Sequence, residues 1–191
     1  MLEVEVKLRV GNLEEIEKRL LDLGAKLIDI VNETDYYVDL RPCIDLRSKD
    51  MALRIRESMS LLSNSRRCEL TFKGSRIGGY PKARKEIVVE VDSAEKLLEI
   101  FKDLGFSKTY TVSKSRRIYR LGSFKIFLDN VKELGSFIEI EADNPEPQSL
   151  DTLASEMKRL LSAIGVFGEP EEKTYLEMLL EKKGLDQKYF D

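Results

Sequence analysis

Apolar and charged side chains alternate in the opening segment MLEVEVKLRV. Charged residues occupy the odd positions from Glu3 to Arg9, and apolar residues occupy the even positions from Val4 to Val10. A period of two places these two sets on opposite faces of a β-strand. Charged faces of the same kind recur at 53–56, 69–73, 85–91, 114–120 and 137–141. A sheet that repeats cations and carboxylates on one face either turns that face to water or closes it around a charged ligand.

Two strands lead into helices with matching start and stop signals. The strand at 2–10 precedes a helical pattern that begins at Asn12 and ends at Gly24, and the strand at 85–92 precedes one from Ser93 to Gly105. Asn and Ser are good N-caps, and glycine after the last apolar position favours the end of a helix. The chain therefore contains a loose repeat of a strand followed by a helix.

The rest of the pattern completes a mixed architecture. A weaker third unit has a strand at 137–142, a turn with Pro145 and Pro147, and a helix from Asp151 to Ile164, and a last helix spans 171–183. Further strands are predicted at 34–40, 52–57, 68–73, 114–120 and 124–130. Pro, Ser and Gly mark loops at 41–50, 58–66 and 74–83.

Most of these strands follow one another without a crossover helix. This favours an antiparallel α+β domain over a parallel, doubly wound sheet. We expect the helices to cover the apolar outer face of the sheet and the charged face to lie inside. The predicted organisation is a single domain at 1–180 with a C-terminal tail at 181–191.

The amino-acid composition excludes several catalytic mechanisms and disfavours some binding partners. The 191-residue chain has no histidine, which excludes Ser-His-Asp and Cys-His catalysis and histidine-ligated zinc or iron. Its net charge of −3 disfavours a general nucleic-acid binder. We find no apolar stretch long enough to span a membrane and no signal peptide pattern, so we expect a cytoplasmic protein without a membrane partner.

Carboxylates are grouped near both ends of the chain. The sequence has two Glu-x-Glu pairs on strands, with an aspartate shortly before the second pair; the group is Glu3, Glu5, Asp129, Glu139 and Glu141. Oxygen ligands of this kind suit Mg²⁺ or Mn²⁺. One isolated pair would better fit solvent-facing glutamates on an edge strand. The presence of both pairs favours a metal site.

Basic residues recur on the same predicted faces. The group comprises Lys7, Arg54, Arg56, Lys73, Arg84, Lys114 and Arg116. Arg-x-Arg on a strand places two planar forks on one face, where they suit phosphate oxygens. The alternative is a set of surface salt bridges worth about 0–1 kcal/mol each. Lys73-Gly74-Ser75 is not a P-loop, because the earlier glycine is absent and a strand precedes the lysine.

These motifs in order resemble the CYTH superfamily, also called triphosphate tunnel metalloenzymes. The motifs are Glu3-Val-Glu-Val-Lys7, Asp35-Tyr-Tyr37, Leu53-Arg-Ile-Arg56, Leu70-Thr-Phe-Lys73-Gly, Arg84-Lys-Glu86, Lys114-Ser-Arg116, Leu128-Asp129, Phe137-Ile-Glu139-Ile-Glu141 and Lys173-Thr-Tyr175. The stretch from Lys114 to Glu139 and the closing Thr174-Tyr175 look most like the class IV adenylyl cyclase branch. One departure is Lys125, which stands where bacterial members of that branch can carry a histidine.

The resemblance implies a closed eight-stranded antiparallel β-barrel with helices packed outside and a triphosphate inside. By matching positions, the five carboxylates would be ligands of Mg²⁺ or Mn²⁺ or their supports, and the seven basic residues would hold phosphates. A homodimer is a further expectation, because cyclase-branch relatives can pair through the outside of the tunnel.

Three functions fit this description. The leading one is a class IV adenylyl cyclase that converts ATP to cyclic AMP and pyrophosphate. The second is a triphosphatase that hydrolyses inorganic triphosphate, thiamine triphosphate or nucleoside triphosphates. The third is a non-catalytic module that binds polyphosphate or a nucleotide. The general base would be a metal-bound hydroxide, or a side chain such as Lys73 or Tyr37.

Overall fold

Eight antiparallel strands close into a barrel in the computed structural model, which describes residues 2–77, 81–143 and 150–185. The strands are β1 (Leu2–Arg9), β2 (Lys26–Val38), β3 (Ala52–Ser60), β4 (Arg66–Ile77), β5 (Lys82–Glu90), β6 (Thr109–Leu121), β7 (Phe124–Val131) and β8 (Gly135–Ala142). Their order around the barrel is β1-β5-β4-β3-β2-β6-β7-β8. The α+β class and the closed eight-stranded barrel are therefore confirmed.

The helices begin and end close to the predicted signals. They are α1 (Leu13–Asp22), α2 (Ala94–Asp103), α3 (Leu150–Ala163) and α4 (Tyr175–Lys182). The Asn12 side chain accepts hydrogen bonds from the backbone amides of Glu14 and Glu15, and Ser93 caps α2 in the same way. Gly24 follows α1 with a φ of 85°, a conformation that favours glycine.

The apolar outer face of the barrel is packed against helices. Val4 of β1 and Ile140 of β8 are fully buried in one cluster with Leu20 of α1 and Met157 of α3. A second cluster places α2 over the outside of β3 and β4. With the outer face covered in this way, the alternation along each strand leaves the charged side chains facing the interior.

Several predicted boundaries were wrong, and β6, for example, begins at Thr109 instead of 114. Strand β2 begins at Lys26 instead of 34, because a bulge between Leu27 and Asp29 breaks the simple alternation of its first residues. The predicted loops at 58–66 and 74–83 are partly strand, since β3 runs to Ser60 and β4 covers 66–77.

The last helix starts later than predicted. α4 begins at Tyr175, because Thr174 forms a capping box with Glu177, and residues 171–174 precede it as a non-helical segment. The turn with Pro145 and Pro147 lies outside the described residues, as does 186–191 of the predicted tail. Residues 181 and 182 are the last two of α4.

In the described ranges, none of the helices combines the length and the apolar character that crossing a bilayer requires.

Candidate functional site

The charged strand faces enclose a cavity of about 440 Å³ inside the barrel. All but one of the sequence-predicted site residues line it: Glu3, Glu5, Lys7, Tyr37, Arg54, Arg56, Lys73, Arg84, Lys114, Arg116, Glu139 and Glu141. The exception is Asp129, which is fully buried. We refer to this cavity as the tunnel.

The strand register pairs opposite charges across the tunnel wall near β1, β4 and β5. Glu3 lies directly opposite Arg84, and Lys73 opposite Glu86. Lys73 Nζ donates to Glu3 Oε1 at 2.6 Å, and Arg84 Nε donates to Glu3 Oε2 at 2.9 Å. Burial opposes ionisation of Glu3, but the two cations outweigh it and lower the pKa of Glu3 to about 2. Glu3 is thus a carboxylate already neutralised by protein cations.

A second ion-pair cluster joins β2, β3 and β6. Arg56 donates from Nε and Nη2 to the two oxygens of Asp35, at 2.6 and 2.8 Å. Lys114 Nζ lies 2.9 Å from Glu33 Oε2 and 3.2 Å from Asp35 Oδ2. Despite burial, these cations lower the pKa of both carboxyls. Sequence reasoning assigned no role to Glu33 or Asp35, although Glu33, Asp35 and Tyr37 alternate along β2 and could have signalled a third charged pair.

A third cluster surrounds Arg116 on β6. Arg116 donates from Nε and Nη2 to both oxygens of Asp129, at 2.7 and 2.6 Å, and also to Glu139. The Tyr175 hydroxyl donates to Asp129 Oδ2 at 2.8 Å. Both oxygens of Asp129 are therefore engaged by protein donors. Of the two roles that the resemblance left open for Asp129, metal ligand or support, these contacts favour support.

Of the seven predicted cations, Arg54 and Lys7 make no carboxylate contact shorter than 3.8 Å within the part of the chain that the structure describes. Arg54 donates from Nη2 to the Thr71 hydroxyl at 3.3 Å, and its nearest carboxylate contact is Glu86 at 3.8 Å. Its buried Nε makes no hydrogen bond to the described residues. Lys7 Nζ donates to the backbone carbonyl of Lys173 at 2.6 Å and lies 4.4 Å from the centre of the Tyr175 ring. Arg54 in particular presents a buried donor that a phosphate oxygen would satisfy.

Two carboxylates, Glu5 and Glu141, have more negative charge around them than nearby cations neutralise. Glu5 and Glu141 lie directly opposite each other in the β1–β8 register, an arrangement that destabilises a sheet unless a cation intervenes. Their nearest cations are distant, with Arg84 Nη2 4.0 Å from Glu5 and Lys125 Nζ 3.9 Å from Glu141. Burial raises the pKa of Glu5, and Glu3 and Glu139 add to the shift. Burial and Glu3 raise the pKa of Glu141 to about 7.

This excess of negative charge fits a hard cation. Among the described residues, no three carboxylates or thiols already converge as a complete metal site. Mg²⁺ commonly binds through one or two carboxylates together with substrate phosphates, so a pair such as Glu5 and Glu141 suits a cation that is completed by a phosphate ligand.

A short segment before α4 is tied across the barrel by three cations. The backbone carbonyls of Glu171, Glu172 and Lys173 accept from Lys82 at 2.6 Å, Arg76 at 2.8 Å and Lys7 at 2.6 Å, respectively. This segment brings Thr174 and Tyr175 to the tunnel wall. Sequence reasoning assigned none of these backbone contacts.

The environment of Tyr37 does not suit a general base. Burial and the neighbouring Asp35 raise the pKa of Tyr37 to about 12. A base for work near neutral pH needs a pKa close to the operating pH. Lys73 is held between Glu3 and Glu86, at 2.6 and 3.1 Å, which fits a role in charge pairing and phosphate binding.

The shifted carboxyls predict how stability depends on pH in the metal-free protein. Glu33 and Asp35 have lowered pKa values in the folded state, so their stabilisation is present above the unfolded pKa and is lost as the pH falls toward the folded one. Glu141 has a raised pKa, so its ionisation weakens folding as the pH rises toward 7. The free energy of unfolding, measured with urea in EDTA, should peak at about pH 5. In Glu33→Gln the fall on the acid side should be shallower, and an unchanged slope would contradict the pairing.

Comparison with known proteins assigns this arrangement to a family. The family model for the CYTH domain matches residues 1–175. A Methanocaldococcus jannaschii protein that carries the name of a proposed adenylate cyclase, MJ0240, is 32% identical over 182 residues, covering 93% of this chain and 98% of the relative.

Solved structures show the same fold. The PH1819 protein of Pyrococcus horikoshii OT3 superposes with a TM-score of 0.84 at 33% identity, covering 94% of this chain and 99% of the other. A Hippeastrum protein, described as a proposed adenylyl cyclase with a dominant triphosphatase activity, shares the fold with a TM-score of 0.65 at 19% identity, covering 95% and 96%.

Proposed function

This chain belongs to the CYTH family, and we propose that it is a divalent-metal-dependent enzyme acting on a triphosphate inside the barrel, with ATP cyclisation to cyclic AMP and pyrophosphate as the leading reaction. The observation that carries the proposal is the enclosure of cations from most strands of the barrel around one cavity. Surface salt bridges, the alternative that the sequence left open, would not converge in this way.

A triphosphate brings about four negative charges into the tunnel, so catalysis depends on cations that surround it before the reaction begins. Arg54 offers its unsatisfied Nε, and Lys7 can exchange a carbonyl for a phosphate oxygen. The other five cations stay paired with carboxylates and contribute positive potential around the bound phosphates. They are Arg56, Lys73, Arg84, Lys114 and Arg116.

We assign the metal to Glu5 and Glu141, with Glu3, Glu139 and Asp129 as surrounding carboxylates and supports. When bound there, Mg²⁺ or Mn²⁺ would neutralise charge that develops on phosphate oxygens. Glu5 and Glu141 hold negative charge at this end of the tunnel, while Arg116 orients Glu139 and Asp129 through its guanidinium.

In the cyclase reaction the ribose 3′-oxygen bonds to the α-phosphorus, the bond from that phosphorus to the bridging oxygen breaks, and pyrophosphate leaves. In the triphosphatase reaction water attacks the γ-phosphorus and loses a proton, the bond from that phosphorus to the β–γ bridging oxygen breaks, and the diphosphate leaves. The same cations would stabilise the transition states of both reactions. The two reactions differ in which nucleophile is aligned with the bond that breaks. We assign the base role to neither Tyr37 nor Lys73.

A triphosphatase is the second candidate, and the specific observation in its favour is Glu141, which keeps the second Glu-x-Glu pair complete, as in phosphohydrolase branches. A non-catalytic binding module is less well supported, because binding alone would not need two unneutralised carboxylates. Incubation with ATP and Mg²⁺ or Mn²⁺, followed by chromatography of the products, distinguishes the three. We expect cyclic AMP with pyrophosphate; ADP with phosphate would favour the triphosphatase, and saturable binding without turnover the module.

Arg54 and Arg56 are expected to respond differently to the same substitution. Arg54→Met should weaken triphosphate binding by about 10- to 100-fold with little loss of stability, because it removes a donor to phosphate without exposing a closely paired carboxylate. Arg56→Met should also lower stability, since it removes the guanidinium that pairs with both Asp35 and Glu33 and leaves these buried carboxylates with fewer cations. Calorimetric titration and urea unfolding measure the two effects. Equal stability losses in both variants would contradict the distinction.

The homodimer and the cytoplasmic location belong to the same proposal. The homodimer rests on the resemblance to the cyclase branch, and the location rests on the sequence alone.

A further inference from the structure

Tyr175, the first residue of α4, is an aromatic residue in the wall of a tunnel that is lined mainly by charged groups. The capping box between Thr174 and Glu177 starts the helix at this residue. Its ring packs edge-to-face against Phe137, with the ring centres 5.0 Å apart, and its hydroxyl donates to Asp129 Oδ2 at 2.8 Å. The ring is therefore held in one orientation by the helix, a neighbouring ring and a buried carboxylate.

The face of this ring is turned toward an ammonium group. Lys7 Nζ lies 4.4 Å from the ring centre, which is within the range of a cation–π interaction. Lys7 is almost completely buried, and its Nζ donates to the backbone carbonyl of Lys173 at 2.6 Å. Because an ammonium carries three N–H donors, this bond leaves donors for a phosphate oxygen.

The way in which Lys7 is held differs from that of most other cations in the tunnel. Five of the seven predicted cations have a carboxylate oxygen within hydrogen-bond distance, which neutralises part of their charge. An aromatic face attracts a cation through its quadrupole and carries no net charge. The Tyr175 ring can therefore restrain Lys7 and leave its positive charge available to an anionic ligand.

We propose that Tyr175 is a positioning residue whose ring holds the Lys7 ammonium where it can bind a phosphate oxygen of the substrate, without neutralising its charge. This inference rests on the proposed function, because it requires phosphates in the tunnel. A lysine side chain that is restrained before binding loses less conformational entropy when the phosphate arrives, so it binds more tightly than a mobile one.

Two substitutions of Tyr175 separate the ring from the hydroxyl. Calorimetric titration with inorganic triphosphate in EDTA measures binding by the tunnel cations without metal-dependent turnover. Tyr175→Leu removes the ring and should weaken binding by about 10-fold. Tyr175→Phe keeps the ring beside Lys7 and should change the affinity by less than about threefold. Equal losses in the two variants would show that the ring is not responsible and would overturn the inference.

A double-mutant cycle with Lys7 distinguishes positioning from a general structural effect. In a Lys7→Met background, Tyr175→Leu should weaken triphosphate binding by less than about a further twofold, because the ring acts through the ammonium that is already absent. A further loss of about 10-fold in that background would mean that the two residues act independently. That result would contradict the proposed role of Tyr175.

Tyr36→Leu is the control for loss of stability. Tyr36 packs against the apolar cluster that includes α2 and does not line the tunnel, so this variant should bind triphosphate as the wild-type protein does. If it loses as much affinity as Tyr175→Leu, the effect comes from destabilisation and the inference fails while the proposed function stands. If the wild-type protein binds no triphosphate, the proposed function itself fails.

Discussion

Glu5→Gln is expected to lower turnover by about 10³-fold, the equivalent of several kcal/mol, while the protein becomes no less stable. The substitution removes one charge from the pair that we assign to the metal. Because burial, Glu3 and Glu139 raise the pKa of Glu5, its ionised form opposes folding at neutral pH. A neutral amide of the same shape relieves that cost. Product formation from ATP and thermal unfolding measure the two effects.

A control substitution tests whether the effect on turnover depends on where the negative charge is removed. Glu99→Gln makes the same change on the exposed surface of α2 and should alter neither turnover nor stability. If Glu5→Gln unfolds the protein, Glu5 is a structural residue. If it keeps full activity, the metal is not bound where we propose.

Arg116→Met is expected to destabilise the folded protein by about 3–5 kcal/mol. Arg116 pairs with Asp129 and Glu139, and Asp129 has no exposed surface. Without the guanidinium, Asp129 keeps only the Tyr175 hydroxyl as a donor among the bonds described above, and its charge remains buried. Urea unfolding at neutral pH measures the loss.

The control lies on the same strand. Arg120 is half-exposed and pairs with Asp143 at the surface, so Arg120→Met should cost at most about 1 kcal/mol. A loss of less than about 1 kcal/mol in Arg116→Met as well would mean that the buried ion pairs contribute little, which is the behaviour expected of solvated pairs.

The interior charge could be predicted because two stretches, 2–9 of β1 and 138–141 of β8, alternate strictly. In them every second residue is apolar and packs under α1 or α3, so the intervening charged residues must face inward. The motif order then identified the barrel. The alternation placed Glu3 and Lys7 on one charged face, while the closed topology came only from the resemblance that the motif order carries.

The parts that sequence reasoning missed depend on contacts without a local pattern. The first half of β2 was not predicted, because the bulge after Leu27 interrupts the two-residue alternation of the strand. Glu33 lies in this half and was therefore not recognised as a site residue. The bonds from Lys7, Arg76 and Lys82 to residues 171–173 go to backbone carbonyls, which every sequence has. Local spacing carries no information about such partners.

The central claim is that the phosphates and the cation lie together inside the barrel. A crystal structure with Mn²⁺ and a non-hydrolysable ATP analogue, analysed at a wavelength where manganese scatters anomalously, tests it most directly. We predict a manganese peak beside Glu5 and Glu141 and a phosphate chain in contact with Arg54. Phosphates bound on the outer surface, with no manganese beside these carboxylates, would contradict the account.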